Sequence, residues 1–333
     1  MRILKYILSF TIALLFTLSI CAEDSSGLQK RKKTSSKATG CEPAKSSTEL
    51  YVNNVRTLIH TGGDMWWDLK SLPRYEVPAG SGRHLATAGA IWIGGKDNNG
   101  QLKLAAQMFR QNGNDYWSGP LIMSGENQAS TSKEICRQFD RHFVITKEMV
   151  KEFRDWYACS KNPNCDVNKE FPYYTIPDII MNWPAHGPAG GYDYYLAPFW
   201  DADNDGKYDP LKGDFPYFEF INEGITDDPD CLRPRNRMPK LFGDKTLWWV
   251  FNDAGNTHTE TGATAIGLEI RAQAFAFSTN DEINDMTFYN YNIINRSTYT
   301  LHDTYIGIWT DADIGNPNDD YFGCDVERGL GYA

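Results

Sequence analysis

From about residue 49 the chain alternates short apolar runs with polar turns, the pattern of β-strands rather than of long helices. His84 to Gly94 (HLATAGAIWIG) is apolar and β-branched, and an Asn99-Gly100 turn separates it from a second run, Gln101 to Phe109 (QLKLAAQMF). Two such runs around Asn-Gly predict a β-hairpin. One stretch breaks the period. Met149, Val150, Phe153, Trp156 and Tyr157 recur at helical spacing behind Thr146, a residue type that caps helix starts, so a helix is expected over 147–158. Beyond Asp244 strands return at Leu247 to Asn252 (LWWVFN), Ile266 to Ser278, Met286 to Asn295 and Thr304 to Thr310. In the second of these, Leu268, Ile270, Ala272, Ala274 and Ala276 alternate with Glu269, Arg271 and Gln273, which predicts one buried face and one wet face. The expected fold is mainly β: an antiparallel, β-sandwich-like C-terminal region after an N-terminal β-rich region with one main helix.

The first 22 residues follow a different logic. Arg2 and Lys5 precede an apolar run from Tyr6 to Ile20, and polar Glu23-Asp24-Ser25-Ser26 follows Ala22. That is the layout of a signal peptide over 1–22, and its apolar run is short for a membrane span. Lipoprotein anchoring at Cys21 is the weaker alternative, because bulky Ile20 stands where a small residue is expected. No later run reaches the length of a spanning helix, so no transmembrane segment is expected after cleavage. Residues 23–48 are rich in Ser, Lys and Thr and carry Lys30-Arg31-Lys32-Lys33, which reads as a disordered, solvated linker. Two regions are expected behind it, 49–190 with the helix and 191–333 with the sandwich-like strands. The end at Gly329-Leu330-Gly331-Tyr332-Ala333 reads as the approach to a further strand, so a truncated chain lacking edge strands is expected.

Composition narrows the function. Hydrophobic residues make up 41% and aromatics 14%, which excludes a wholly disordered chain. The net charge of −10 argues against a nucleic-acid partner. Export makes the cysteines readable. Without Cys21 six remain, Cys41, Cys136, Cys159, Cys165, Cys231 and Cys324, and six cysteines allow about 15 pairings. Cys159 and Cys165 bracket a short polar turn and form the favoured local pair; for the others, disulfides and free thiols stay open.

The sharpest motif is Asp201-Ala202-Asp203-Asn204-Asp205-Gly206-Lys207-Tyr208-Asp209. Calcium takes six to eight oxygen ligands, and carboxylates at alternate positions before a glycine let a tight loop curl around one ion. Asp201, Asp203 and Asp205 would give side chains, Lys207 its carbonyl, and Asp209 a direct or water-mediated contact. Lys212 replaces the usual twelfth-position Glu, so closure needs another carboxylate, and Asp214 is the candidate. A structural Ca2+ is favoured over a metal-free acidic turn, because so many carboxylates repel unless a cation neutralises them. The cluster Asp311, Asp313, Asn318, Asp319 and Asp320 lacks this spacing and reads as a polar loop. Catalytic motifs are missing: there is no HExxH, no GxSxG and no P-loop. Asp253, Glu260 and Glu269 are candidate acids for a glycosidase, and His258 stands in a polar turn.

Motif order adds a resemblance. The loop running into Gly213-Asp214-Phe215-Pro216, then WWVFNDAGNTHTETG (248–262), AQAFAF (272–277), NDEINDMTFYNYNIINRS (280–297), DDYFGCDVERGLGY (319–332) and the earlier GRHLATAGAIWIGG (82–95) resemble a family of large exported Bacteroidota proteins. Such proteins typically end in a sorting domain read by the type IX secretion system, and against that pattern this chain is expected to be a fragment without it. The resemblance implies the secretion machinery as a partner and an extracellular or cell-surface location, or the periplasm for this shorter chain. The function expected is a secreted, non-enzymatic, calcium-stabilised β module, binding or adhesive, with a carbohydrate or a surface protein as ligand. The alternatives are part of a secreted carbohydrate-active or other hydrolase, or a truncated remnant with no independent function.

Overall fold

Alternation of side chains builds two large antiparallel sheets and two two-stranded ribbons in the computed structural model, which describes residues 40–218, 240–316 and 318–333. The expected signal peptide, most of the linker and Cys231 lie outside the described residues. In chain order the strands are β1 (Ser47–Tyr51), β2 (Arg56–His60), β3 (Asp64–Met65), β4 (Tyr75–Glu76), β5 (His84–Ala86), β6 (Ala88–Lys96) and β7 (Leu102–Ala105). They are followed by β8 (Trp117–Ser118), β9 (Phe143–Thr146), β10 (Phe199–Trp200) and β11 (Phe215–Pro216). The last are β12 (Lys245–Asn252), β13 (Leu268–Ala276), β14 (Phe288–Asn295), β15 (His302–Asp311), β16 (Gly323–Asp325) and β17 (Leu330–Tyr332). Helices α1 (Lys133–Gln138) and α2 (Lys147–Lys161) lie between β8 and β10.

The fold is mainly β and sandwich-like. An eight-stranded sheet runs β15-β6-β3-β2-β4-β5, with β1 on β2 and β7 on β6. A five-stranded sheet runs β14-β13-β12-β8, with β9 also on β12, and the ribbons are β10–β11 and β16–β17. Between the two sheets lies one core, where Leu50, Ile59, Ile91 and Ile93 meet Trp249, Phe251, Ile270 and Ala272. The expected hairpin is β6–β7, and the Asp97 carboxylate organises its turn by accepting from the N–H groups of Asn99 and Gln101, each at 2.9 Å. The expected helix is α2. Thr146 caps it by accepting from Met149 N–H at 3.2 Å, and Val150 and Phe153 are buried.

Three expectations change. β13 has no wet face: all nine residues are buried, Glu269, Arg271 and Gln273 included. The reason is a third layer. Trp248 and Val250 of β12 point away from the first core into a second one with Phe153, Trp183, Leu196, Phe199 and Phe215. The central sheet is thus covered twice, and adjacent Trp248 and Trp249 are both core, one in each layer. The two-region division also gives way. The eight-stranded sheet joins β1–β7 to β15, and the five-stranded sheet joins β8 and β9 to β12–β14, so 37–333 is one unit. Finally, the stretch expected as linker reaches into the fold. Cys41 is disulfide-bonded to Cys136, Lys45 N–H donates to Asp140 at 2.9 Å, and β1 begins at Ser47.

A charged square lies under the outer face of β13. The Arg271 and Arg296 guanidinium groups each bond both Glu269 and Asp193 at 2.8–2.9 Å. Glu269 also accepts from Leu121 N–H at 2.9 Å, so the buried carboxylate is paired and fully used, the condition under which a buried charge is tolerated.

Candidate metal centre

The acidic loop is held at both ends by backbone pairing. β10 and β11 join through Trp200↔Phe215 and Phe199↔Pro216, so residues 201–214 form the closed tip of a ribbon. Phe199 and Phe215 anchor that ribbon in the second core. Within the tip, short Asp side chains satisfy the N–H groups that follow them. Asp201 Oδ1 accepts from Asp205 N–H at 3.2 Å and its Oδ2 from Gly206 N–H at 2.8 Å. Asp203 Oδ1 also accepts from Asp205 N–H at 3.2 Å, and Asp205 Oδ1 from Lys207 N–H at 2.8 Å. The turns require left-handed backbone at Asn204 (φ 59°) and Gly206 (φ 77°). The positive φ at Gly206 favours glycine, and an added Cβ would sit 3.0 Å from the Tyr195 hydroxyl, which would have to give slightly.

These turns bring Asp201, Asp203 and Asp205 together, with one carboxylate oxygen from each within 4.8 Å of the others. The Lys212 ammonium closes over them, donating to Asp205 Oδ2 at 2.6 Å and pairing with Asp203 Oδ2 at 3.0 Å. That hydrogen bond lowers the pKa of Asp205, while the two aspartates raise that of Lys212. Lys212 holds the place of the twelfth-position carboxylate of a calcium loop, and a cation stands where the motif leaves room for one.

The remaining expected ligands have other partners. Asp209 is outside the three-carboxylate group; its Oδ1 accepts from Leu211 N–H at 3.0 Å and caps the 3-10 turn Pro210–Lys212. Asp214 is fully buried. Its two oxygens accept from Ala202 N–H and Asp209 N–H, both at 2.8 Å, stitching the halves of the loop together. Burial raises its pKa to about 6. Lys207 lies on the loop rim, its N–H engaged by Asp205. The motif therefore divides into three converging carboxylates and two that brace the backbone. Those three supply hard oxygen donors, the chemistry calcium takes.

Two contacts that the sequence does not signal reach the loop from other parts of the chain. His186 Nε2 accepts from Tyr208 N–H at 2.9 Å, which places the ring proton on Nδ1, 3.0 Å from the Tyr194 carbonyl. Burial lowers the His186 pKa, in keeping with the neutral ring. Gly213 (φ 103°) lies against the Tyr157 ring of α2. Neither contact leaves a local signal, because His186 is 22 residues from its partner and Tyr157 is on another element.

Of the other candidate acids, Asp253 and Glu269 are committed elsewhere, whereas Glu260 keeps a buried carboxylate oxygen without a hydrogen-bond partner among the described residues. Asp253 is buried and accepts from the N–H groups of Ile266, Gly267 and Leu268 at 2.5–2.9 Å. Glu269 belongs to the charged square. His258 is buried with Nδ1 2.8 Å from the Leu104 carbonyl and Nε2 2.6 Å from that of Asp253. Glu260 is half-buried, and burial raises its pKa. In the second acidic cluster, Asp320 accepts from Ile314 N–H at 3.1 Å and Asp319 from the Asn316 amide at 3.2 Å, the bonding of a polar loop. Disulfides join Cys41 to Cys136 and Cys159 to Cys165, and Cys324 is an exposed thiol. No helix among the described residues is long and apolar enough to cross a membrane. No protein-family model matches this chain, and no curated protein or solved structure matches it either.

Proposed function

We propose that this chain is a calcium-stabilised β module of an exported, extracellular or cell-surface protein, acting by binding rather than by catalysis. The observation that carries the reading is the convergence of Asp201, Asp203 and Asp205 within 4.8 Å, on a loop closed by β10–β11 pairing and braced by Asp214. Calcium would take one or more oxygens from each of the three, and the Lys212 ammonium, exposed enough to move, would swing into solvent. The ion's role is structural. It neutralises three carboxylates at the tip of a ribbon that anchors the second core, so binding stabilises the folded chain. The two disulfides support an oxidising compartment. The burial of Asp253 and Glu269 favours the binding reading over the hydrolase reading, since neither carboxylate faces a solvent-borne substrate.

Lys212→Glu tests the assignment. It removes the competing ammonium and supplies the twelfth-position carboxylate, so calcium affinity measured by calorimetry should tighten by at least about tenfold, roughly 1.4 kcal/mol. An affinity unchanged or weakened in a folded variant would reject the placement of the ion beneath Lys212.

A further inference from the structure

The segment before β1 is fastened to the fold at two points. Cys41–Cys136 ties it to α1, and the Asp140 carboxylate ties it to the residues after that helix. Asp140 Oδ2 accepts from Lys45 N–H at 2.9 Å. Its Oδ1 accepts from Ser46 N–H at 3.3 Å, from the Ser118 hydroxyl at 3.2 Å and from the Thr61 hydroxyl. Between the two fastenings the segment and the helix stay apart. They leave a cleft of about 200 Å³, walled by Pro43 and Ala44 on the segment, by Cys136 on α1 and by buried Ser118.

Helical spacing sets what α1 contributes. Lys133, Cys136 and Arg137 are three and four residues apart, so they share the face that lines the cleft. Glu42 and Lys45 line it from the segment. With Asp140 that makes three cations and two carboxylates, an excess of one positive charge in a chain whose net charge is −10. The carboxylates do not use the cations up. Asp140 is filled by backbone N–H groups and hydroxyls, none of them charged. Glu42 accepts from the Lys45 ammonium at 3.0 Å through one oxygen and pairs with Lys133 at 3.3 Å through the other. Nothing is left for Arg137, whose guanidinium has no hydrogen bond or ion pair among the described residues.

A guanidinium is a planar fork that takes two oxygens of one carboxylate, sulfate or phosphate group. A cleft concentrates the field of the charges that line it, and here the disulfide and Asp140 hold both walls in place before any ligand arrives. The size suits a small ion, or the charged tip of a larger molecule, since drug-sized ligands occupy roughly 300–1,000 Å³. The preceding chain has the wrong sign to fill it: residues 25–39 carry five basic residues and no acidic one. We infer that this cleft binds one small oxyanion, a sulfate, phosphate or carboxylate group, seated on Arg137 with Lys133 and Lys45. Glu42 is the internal carboxylate with which that anion competes. The site shares no residue with the acidic loop and does not depend on an ion there.

Titration calorimetry of the whole chain tests this, in calcium-free buffer at constant ionic strength with chloride as the balancing anion. The probes are sodium sulfate, phosphate, acetate and glucuronate. At least one should show saturable one-site binding below about 20 mM. Preference for sulfate and phosphate assigns a tetrahedral group, and preference for acetate and glucuronate a carboxylate; either upholds the site. Arg137→Gln should weaken the preferred anion at least about tenfold. Glu42→Gln removes the competing carboxylate and should tighten it at least about threefold. Both side chains are exposed, and thermal unfolding of each variant checks that the fold is kept. Lys70→Gln is the control: it removes an exposed positive charge outside the cleft and should leave binding unchanged. Absence of saturable binding by all four anions would overturn the inference. So would an affinity indifferent to Arg137→Gln, one lowered equally by Lys70→Gln, or one that Glu42→Gln fails to raise.

Discussion

Asp214 and Asp201 are two members of one motif with different work to do. Asp201 stands beside Asp203 and Asp205, where oxygen meets oxygen; Asp214 uses both oxygens to tie Ala202 to Asp209. The alternating acids were legible because calcium-type donors lie close together in sequence, and Lys212 was legible as the missing glutamate. Its bridging of Asp203 and Asp205 was not, since that depends on how the loop curls. His142 is buried against Trp249 with ring centroids 5.0 Å apart, and its Nδ1 lies 3.0 Å from Thr48 Oγ1. Burial, reinforced by His60, lowers its pKa to about 3. The folded state keeps this ring neutral while the unfolded chain protonates it near pH 6.5. Between about pH 6.5 and 3 the unfolded state therefore holds more protons at this site, and stability falls as pH falls, by up to about 1.4 kcal/mol per unit. Unfolding followed across that range should show a shallower pH slope for His142→Gln than for the wild type. Equal slopes would mean the ring is not buried neutral.

At the scale of elements, β12 and β13 do the most to define the fold, because each is covered on both faces. Periodicity located these strands to within about two residues, and the capping threonine located α2. It missed the second cover. Alternation of Leu268, Ile270 and Ala272 with Glu269, Arg271 and Gln273 reads as a half-wet strand, and the charged residues are buried only because Asp193 and Arg296, distant in sequence, complete their pairing. That pairing yields a prediction. Arg271→Ala leaves Glu269 and Asp193 short of one guanidinium and frees the Tyr195 carbonyl, which Arg271 bonds at 2.9 Å. Breaking one partner out of a buried ionic network costs about 3–5 kcal/mol, so denaturant unfolding should show a loss of that size. A loss below about 1 kcal/mol would place the square in solvent rather than beneath β13.

Across the whole molecule, long-range ties replace the expected division into regions. Cys41–Cys136 spans 95 residues and fastens the segment before β1 to α1, whereas Cys159–Cys165 spans 6 and closes the end of α2. If loop closure in the unfolded chain governs their worth, the first contributes about 4–5 kcal/mol and the second about 2. Replacing each pair by serine should therefore destabilise the chain in that order, and the reverse order would assign the effect to local geometry. Which sheet each strand joins was not legible, because β15 pairs with β6 across more than 200 residues and nothing in either segment names the other. Whether the Asp201–Asp214 loop holds a structural ion is decided by calcium titration by calorimetry, with thermal unfolding in parallel. Wild type is compared with Asp203→Ala plus Asp205→Ala. Saturable one-site binding is predicted, with about 2.7 kcal/mol of added stability at 100 times the dissociation constant, and both should vanish in the variant. A cooperatively folded wild type that binds no calcium, or a variant that binds it equally well, would rule out an ion at this loop.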